Sequence, residues 1–282
     1  MSSGVDNLTK AKIFAYKVQR KARRELRKRG TPILTARDSK KYRRANRGEN
    51  PKSQLLDYAS LQENSLPTSW SESFTEAEAN KLIEKADLAV AHKFDLLGSG
   101  LVNLGDPIQW NSDFKTGFQW PTDVHHLNIA WDAVTAGTDI KVPWELSRCQ
   151  HFITLALAER IESDGRYYKE FKAQVRSWIK GNKCGFGVNW VCAMDVAIRA
   201  VNWLTAVSLF KENFENDEDE AFANELTESL WLHACHIMRN LEWQGPQSPS
   251  LANHFLADVS GLFAIGALLR NCPQGRKWLK FS

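Results

Sequence analysis

The sequence predicts an all-α protein in which helical hairpins stack around a common axis as an (α/α) toroid. From Glu76 onward, helix-like segments of 13 to 26 residues follow one another through short loops. No run of alternating apolar and polar residues, which would indicate a strand, interrupts them. No fixed sequence period is visible either, so the pattern disfavours a solenoid of TPR or HEAT repeats.

The helices of this domain have recognisable ends. A helix over Trp144–Ser163 has Pro143 in its first turn and stops at Asp164–Gly165. The next, Arg166–Lys180, ends at Gly181. The remaining predicted helices cover Glu76–Phe94, Val124–Ala136, Asn189–Phe210, Glu218–Trp243 and Ser250–Leu269.

The N-terminal quarter differs in charge from the rest. Residues 1–50 carry 16 Lys+Arg and 4 Asp+Glu, whereas the other 232 residues carry 21 and 29. We therefore predict a basic arm and linker over residues 1–74, with one helix near Lys10–Arg29 followed by a loop-like segment. Residues 75–282 are predicted to form the toroid domain. A basic run such as the arm could bind nucleic acid, an anionic membrane face or an acidic polymer, but a solvated helix or tail is favoured. Nucleic-acid binding is a minor candidate because no nucleic-acid fold pattern accompanies the arm.

Several classes of protein are excluded by composition. No run approaches the roughly 18 apolar residues of a membrane span. No signal peptide is recognisable, which indicates the cytoplasm only by default and leaves the compartment open. The five Cys are odd in number and form no CxxC pair, so neither a disulfide framework nor a zinc site is expected. His233 and His236 lie one turn apart without acidic or Cys partners at ligand spacing, and we predict no metal and no cofactor.

Polar and aromatic residues recur at four predicted loop–helix junctions. These are Trp110-Asn-Ser-Asp113, Pro143-Trp-Glu-Leu-Ser-Arg148, Gly187-Val-Asn-Trp190 with the following Asp195, Arg199 and Asn202, and Asn253–His254 with Asp258. Each has an ordinary structural interpretation. Glu145–Arg148 and Asp195–Arg199 have the spacing of intrahelical ion pairs, Asn189 suits a helix cap, and a lone histidine is usually a packing residue. Four such sites together favour a common cleft.

The Asn253–His254 pair carries the strongest chemical indication. It stands at the start of a predicted helix, where an amide donor and an imidazole acceptor lie side by side. These two groups are what is needed to remove a proton next to a carboxylate.

From about residue 90 to residue 282, the chain resembles the N-terminal helical domain of the heparinase II/III-like polysaccharide lyases, including alginate lyases of related fold. The matching segments are Phe94-Asp-Leu-Leu-Gly-Ser-Gly100, Trp110-Asn-Ser-Asp-Phe114, Pro143-Trp-Glu-Leu-Ser-Arg148, Gly187-Val-Asn-Trp190, Met194 through Trp203, and Ser250-Leu-Ala-Asn-His-Phe-Leu-Ala-Asp258 with Gly261-Leu262. The resemblance implies an incomplete (α/α) toroid that precedes a β-sandwich domain in full-length members.

The resemblance also implies β-elimination at a uronic acid of an acidic polysaccharide. Asn253 would neutralise the substrate carboxylate, and His254 would act as general base or support the transition state. Arg148 and Arg199 could bind a substrate carboxylate or sulfate. The residues expected at the cleft wall or in its scaffold are Trp110, Glu145, Arg148, Asn189, Trp190, Arg199 and Asn202.

One departure from the family pattern bears on activity. The family's catalytic Tyr follows the Asn–His pair by some tens of residues, and none of the five Tyr stands in that place. The chain therefore resembles a C-terminally truncated member, for which we expect weak or no lyase activity.

Other functions stay open at this point. One is a non-catalytic module of the same fold that binds acidic glycans or a partner protein. Another is an unrelated helical scaffold whose basic arm contacts nucleic acid or membrane. A third is an inverting glycosidase, for which Glu145 and Asp258 are the only carboxylate pair we would nominate. The oligomeric state and the polysaccharide are not indicated.

Overall fold

The computed structural model describes residues 35–63, 74–130, 137–214, 217–243 and 252–282. These ranges are mainly α-helical, which confirms the predicted fold class. The helices span 35–45 (α1), Pro51–Glu63 (α2), Glu76–Val90 (α3), Lys141–Ser147 (α4), His151–Glu162 (α5), Arg166–Gly181 (α6), Ala193–Leu209 (α7), Asp217–Arg239 (α8), Ala252–Leu268 (α9) and Pro273–Phe281 (α10).

Two small antiparallel strand pairs lie in the long connection between α3 and α4. Lys93–Phe94 (β1) pairs with Val102–Asn103 (β2), and Ser112–Asp113 (β3) pairs with Phe118–Gln119 (β4). Short 3₁₀ helices cover His126–Asn128, Val188–Trp190 and Lys211–Asn213. Strands of two residues are too short to produce an alternating pattern in the sequence.

Helix α7 lies at the centre of the described core. It packs against α2, α5, α8 and α9, with α10 against α9. Small residues let α7 and α9 approach closely, because a Cβ on Gly261 would lie 2.7 Å from the Cβ of Ala197 and 2.9 Å from its Cα. The helices form an incomplete (α/α) toroid, in which the absence of a side chain at Gly261 allows α9 to lie close to α7.

Local signals explain several helix ends. Thr75 caps α3: the backbone N–H of Glu78 donates to the Thr75 hydroxyl, and the Thr75 N–H donates to the Glu78 carboxylate. Pro273 stands in the first turn of α10, next to its N-cap Cys272. Gly165, with φ of 79°, supplies the left-handed turn between α5 and α6.

Two predicted helices differ from the structure in more than the position of their ends. The single helix expected over Trp144–Ser163 is divided into α4 and α5, because Cys149 adopts a left-handed φ of 55° between them. The helix expected over Val124–Ala136 is also wrong in its described part, which contains only the 3₁₀ turn His126–Asn128. Residues 131–136 lie outside the described residues.

The prediction that the chain is loop-like before residue 75 is wrong for residues 35–45 and 51–63, which form α1 and α2. Tyr42, Leu55 and Tyr58 from these helices are buried in the same core as α7 and α8. Asp38 in α1 also pairs with Arg239 at the end of α8. The helix predicted near Lys10–Arg29 lies outside the described residues.

The five cysteines are all free thiols, as the sequence predicted. Among the helices of the described ranges, none combines the length and apolar character needed to cross a membrane.

Candidate functional site

Asn253 and His254 lie on the surface, in the first turn of α9. The helix begins at Ala252, so both residues stand where backbone N–H groups have no intrahelical acceptor. Asn253 is exposed, and the His254 side chain is 25% exposed. The pair is therefore open to solvent rather than enclosed in an apolar interior.

Glu242, in the segment after α8, binds the imidazole of His254. Its Oε2 lies 2.6 Å from Nδ1. The same carboxylate accepts from the Met194 backbone N–H at 3.1 Å and from the Cys192 thiol at 3.2 Å, both through Oε1. The Glu242 backbone N–H donates to Asp258 Oδ2 at 2.8 Å. Glu242 thus links the start of α7 to the first two turns of α9.

Asp258 lies beneath this pair and has no solvent exposure. Its Oδ2 accepts from Glu242, while Oδ1 has no hydrogen-bond partner among the described residues. Burial, and to a smaller extent the neighbouring Glu242 charge, raise the pKa of Asp258 to about 7 despite the hydrogen bond from Glu242. This carboxyl therefore exchanges its proton near neutral pH.

Three donor atoms in this site are close enough to share a metal ion. The ligand atoms of Cys192, Glu242 and His254 lie within 4.8 Å of one another. In this structure Glu242 bridges the other two, because its Oε1 accepts from the Cys192 thiol and its Oε2 bonds His254 Nδ1. Burial raises the pKa of the Cys192 thiol, and the charges of Asp195 and Glu242 raise it further, so Cys192 is a protonated donor.

A second polar cluster adjoins the first at the start of α7. Arg148 donates to Asp195 Oδ1 at 2.7 Å through Nε and to Glu145 Oε2 at 2.5 Å. Asn202 donates to the Arg148 backbone carbonyl at 2.8 Å. Burial opposes the charge on Arg148, but the two carboxylates outweigh it and raise the Arg148 pKa. The predicted pairing of Glu145 with Arg148 is confirmed.

The predicted Asp195–Arg199 ion pair is wrong, because Asp195 binds Arg148 instead. Arg199 has no solvent exposure. Its Nε donates to His233 Nε2 at 2.9 Å, and its guanidinium stacks 4.0 Å from the Trp178 ring centroid. Burial lowers the pKa of Arg199 to about 10. This burial favours a scaffold role for Arg199 over the two other roles expected from the sequence, a place in the cleft wall and binding of a substrate carboxylate or sulfate.

Trp110, Asn189 and Trp190 are also buried, with exposures of 1% or 2%. Asn189 is not a helix cap. Its amide donates to the Trp110 carbonyl at 2.9 Å and to Asn182 Oδ1 at 2.9 Å, which joins the loop before β3 to the turn after α6. These side chains support the region from within, whereas substrate contact stays a prediction for the half-buried Glu145, Arg148 and Asn202.

Two further residues of the site were not predicted as functional from the sequence. Glu242 was placed inside a helix expected to run to Trp243, but α8 ends at Arg239 and leaves it in an irregular segment. Trp243 is 56% exposed and packs on Phe255, with ring centroids 4.9 Å apart. Glu242 and Trp243 are neighbours in the chain, but neither is close in sequence to His254. Only tertiary contacts bring Glu242 to His254.

Comparisons with known proteins agree with this architecture. The fold is similar to that of a mutant of the heparan sulfate lyase HepC from Pedobacter heparinus, with 21% sequence identity, a TM-score of 0.55, and coverage of 80% of this chain and 32% of that one. It is also similar to a heparinase III, with 21% identity, a TM-score of 0.50, and coverage of 71% and 29%. This chain thus spans about a third of the length of these proteins. Among curated proteins, none matches it in sequence.

The family comparison covers more of the chain. A family model described as the heparinase II/III N-terminus matches residues 35–282. That range includes α1 and α2 as well as the Asn253–His254 site. This chain therefore belongs to the heparinase II/III family, in the part that the family model defines as its N-terminus.

Proposed function

We propose that this chain forms the carboxylate-binding and proton-abstracting side of a polysaccharide lyase site, with a uronate-containing acidic polysaccharide as substrate. The observation that carries the proposal is the position of Asn253 and His254 in the exposed first turn of α9. One nitrogen of His254 is already engaged by Glu242. The described residues offer no hydrogen-bond partner to the other nitrogen, Nε2.

The proposed chemistry follows from these two groups. The hydrogen at C5 of a uronate is only weakly acidic, so its removal requires stabilisation of the charge that develops on the carboxylate. The Asn253 amide can donate to that carboxylate, and the positive N-terminal end of the α9 dipole favours a negative charge nearby. His254 then removes the proton, or supports its removal, through Nε2. Elimination breaks the bond between C4 and its oxygen, which requires a proton donor for the leaving oxygen.

The described residues do not supply an evident donor for that last step. Four of the five tyrosines are described, and all are buried, with exposures of 0% to 6%: Tyr42, Tyr58, Tyr167 and Tyr168. We therefore expect this chain alone to bind uronate polymers and to cleave them weakly or not at all. The same observation favours the second candidate function, a non-catalytic module that binds acidic glycans.

Trp243 offers a further contact for a sugar. Trp243 directly follows Glu242, and its exposed indole packs against Phe255. The apolar face of an indole suits the C–H face of a pyranose ring, so Trp243 is proposed as a stacking platform beside the carboxylate site.

Substitution of Asn253 by Ala tests the proposal. Binding of heparan sulfate and alginate oligosaccharides is measured by calorimetry, and cleavage by the ultraviolet absorbance of the unsaturated product. We expect N253A to weaken binding on the order of tenfold, the effect of one lost charge-assisted hydrogen bond of about 1.5 kcal/mol. An Asn224→Ala variant is the control, because Asn224 is exposed on α8 and bonds only within its helix.

The outcomes separate the two candidates. Loss of both binding and cleavage in N253A supports the lyase site, whereas loss of binding from a chain that never cleaves supports the glycan-binding module. Equal binding by N253A, N224A and the unaltered chain would refute both.

A further inference from the structure

We infer that Glu242 is the positioning residue of His254, which fixes the imidazole tautomer so that Nε2 is the basic nitrogen. This inference rests on the proposed function for the identity of the reaction, but the tautomer itself can be measured without any reaction.

The first step concerns hydrogen-bond polarity. An ionised carboxylate accepts hydrogen bonds and cannot donate them. The 2.6 Å separation between Glu242 Oε2 and His254 Nδ1 therefore requires the proton to lie on Nδ1. A neutral imidazole with its proton on Nδ1 has its lone pair on Nε2, the nitrogen that has no partner among the described residues.

The second step concerns the rigidity of Glu242. Its Oε1 accepts from two donors at the start of α7, the Met194 N–H and the Cys192 thiol, so the carboxylate cannot rotate away without losing both. Its backbone is held by Asp258, one turn after His254 in α9. A carboxylate fixed from both helices orients the imidazole more precisely than one on a mobile side chain.

The third step is the effect of replacing Glu242 by Gln. The amide oxygen of Gln can replace Oε1 as acceptor for Met194 and Cys192, since both of those groups are donors. The amide N–H₂ then faces His254 and can only donate. Nδ1 must become the acceptor, and the imidazole proton moves to Nε2, where it blocks the base. A near-isosteric substitution thus inverts the tautomer.

Nitrogen-15 NMR of the imidazole tests this inference on the intact chain. In the neutral imidazole of the unaltered protein, Nδ1 should carry the proton and Nε2 should not, whereas E242Q should show the reverse. The control is Glu225→Gln, because Glu225 also binds a nitrogen of another side chain, Arg176, but is exposed. It should leave the His254 spectrum unchanged. Resonances are assigned with His254→Gln.

The results distinguish positioning from a purely structural ion pair. A structural pair predicts lower stability for E242Q without an inverted tautomer. If the unaltered protein carries its proton on Nε2, or if folded E242Q keeps it on Nδ1, the inference is overturned. If E242Q does not fold, the tautomer of the unaltered protein decides.

Kinetics give a second readout where the unaltered chain cleaves polymer. E242Q should lower kcat on the order of 100-fold or more with little change in KM, because the base is lost while carboxylate binding by Asn253 is retained. A correct tautomer in a chain whose binding of uronate oligosaccharides is the same with and without N253A would refute the proposed function and leave the positioning by Glu242 intact.

Discussion

Replacement of Asp258 by Asn should make the stability of this protein less sensitive to pH. The folded protein holds the Asp258 pKa at about 7, against an ordinary value of 3.8, chiefly because the carboxyl is buried. Between these two values the folded chain binds more protons at this site than the unfolded chain. The stabilisation from Asp258 is therefore fully present below its unfolded pKa and is lost as the pH rises through the folded pKa.

The magnitude follows from the two pKa values. A shift of one pKa unit corresponds to about 1.4 kcal/mol. Between about pH 5 and pH 8, the difference in protonation of Asp258 removes about 2.5 kcal/mol from the free energy of unfolding. An Asn at this position cannot ionise, yet its side-chain oxygen can still accept from the Glu242 N–H. The stability of D258N relative to the unaltered protein should therefore rise by about 2.5 kcal/mol between these pH values.

Urea unfolding followed by tryptophan fluorescence at several pH values measures this difference. The control is Asp57→Asn, because the Asp57 side chain is 60% exposed and its replacement should give a nearly constant offset. A D258N offset that stays constant within about 0.5 kcal/mol from pH 5 to pH 8 would show that water or an unrecognised partner relieves the burial of this carboxyl.

Two further substitutions test the packing and the surface of the site. Gly261→Ala should destabilise the protein by about 1–2 kcal/mol, because the new Cβ would meet the backbone of Ala197 at 2.9 Å, and this overpacking outweighs the gain of about 1 kcal/mol in helix propensity. Urea unfolding checks it, and unchanged or higher stability would contradict the close approach of α7 and α9. Trp243→Ala should weaken oligosaccharide binding about fivefold while stability changes little, since a stacked ring contributes about 1 kcal/mol. Phe263→Ala, at the same exposure of 56%, is its control in calorimetry, and equal effects of the two substitutions would argue against a stacking role.

The sequence predicted those helices whose ends are marked by local signals. Helix α6 begins after Gly165 and ends at Gly181, in agreement with the predicted Arg166–Lys180. The break between α4 and α5 had no such mark, because a Cys rather than a Gly adopts the left-handed conformation there. Helix α2 was not predicted because its residues are polar on average, although Leu55 and Tyr58 are buried against the other helices. Tertiary packing, rather than propensity, decides such a helix.

The site was predictable only in part for a similar reason. Asn253 and His254 are adjacent in the chain, so their combination is visible in the sequence, and the family resemblance points to them. Glu242 lies twelve residues before His254, and Asp258 contacts its backbone rather than its side chain. No periodic or motif pattern encodes those contacts, because they arise from the tertiary packing of the segment after α8 against α7 and α9.

The geometry of the site depends on the same two helices that form the centre of the fold. Helix α7 holds Glu242 through Met194, and α9 carries His254, so the 2.6 Å hydrogen bond spans the two helices. Two turns further along α9, Gly261 rests against α7 with no room for a methyl group. A shift of α9 at Gly261 would be carried along the helix to His254 and would change the length and angle of that hydrogen bond. The absence of a side chain at position 261 therefore serves the orientation of His254 as well as the packing of the core. On this argument, folded G261A should bind uronate oligosaccharides more weakly than its loss of stability alone would explain.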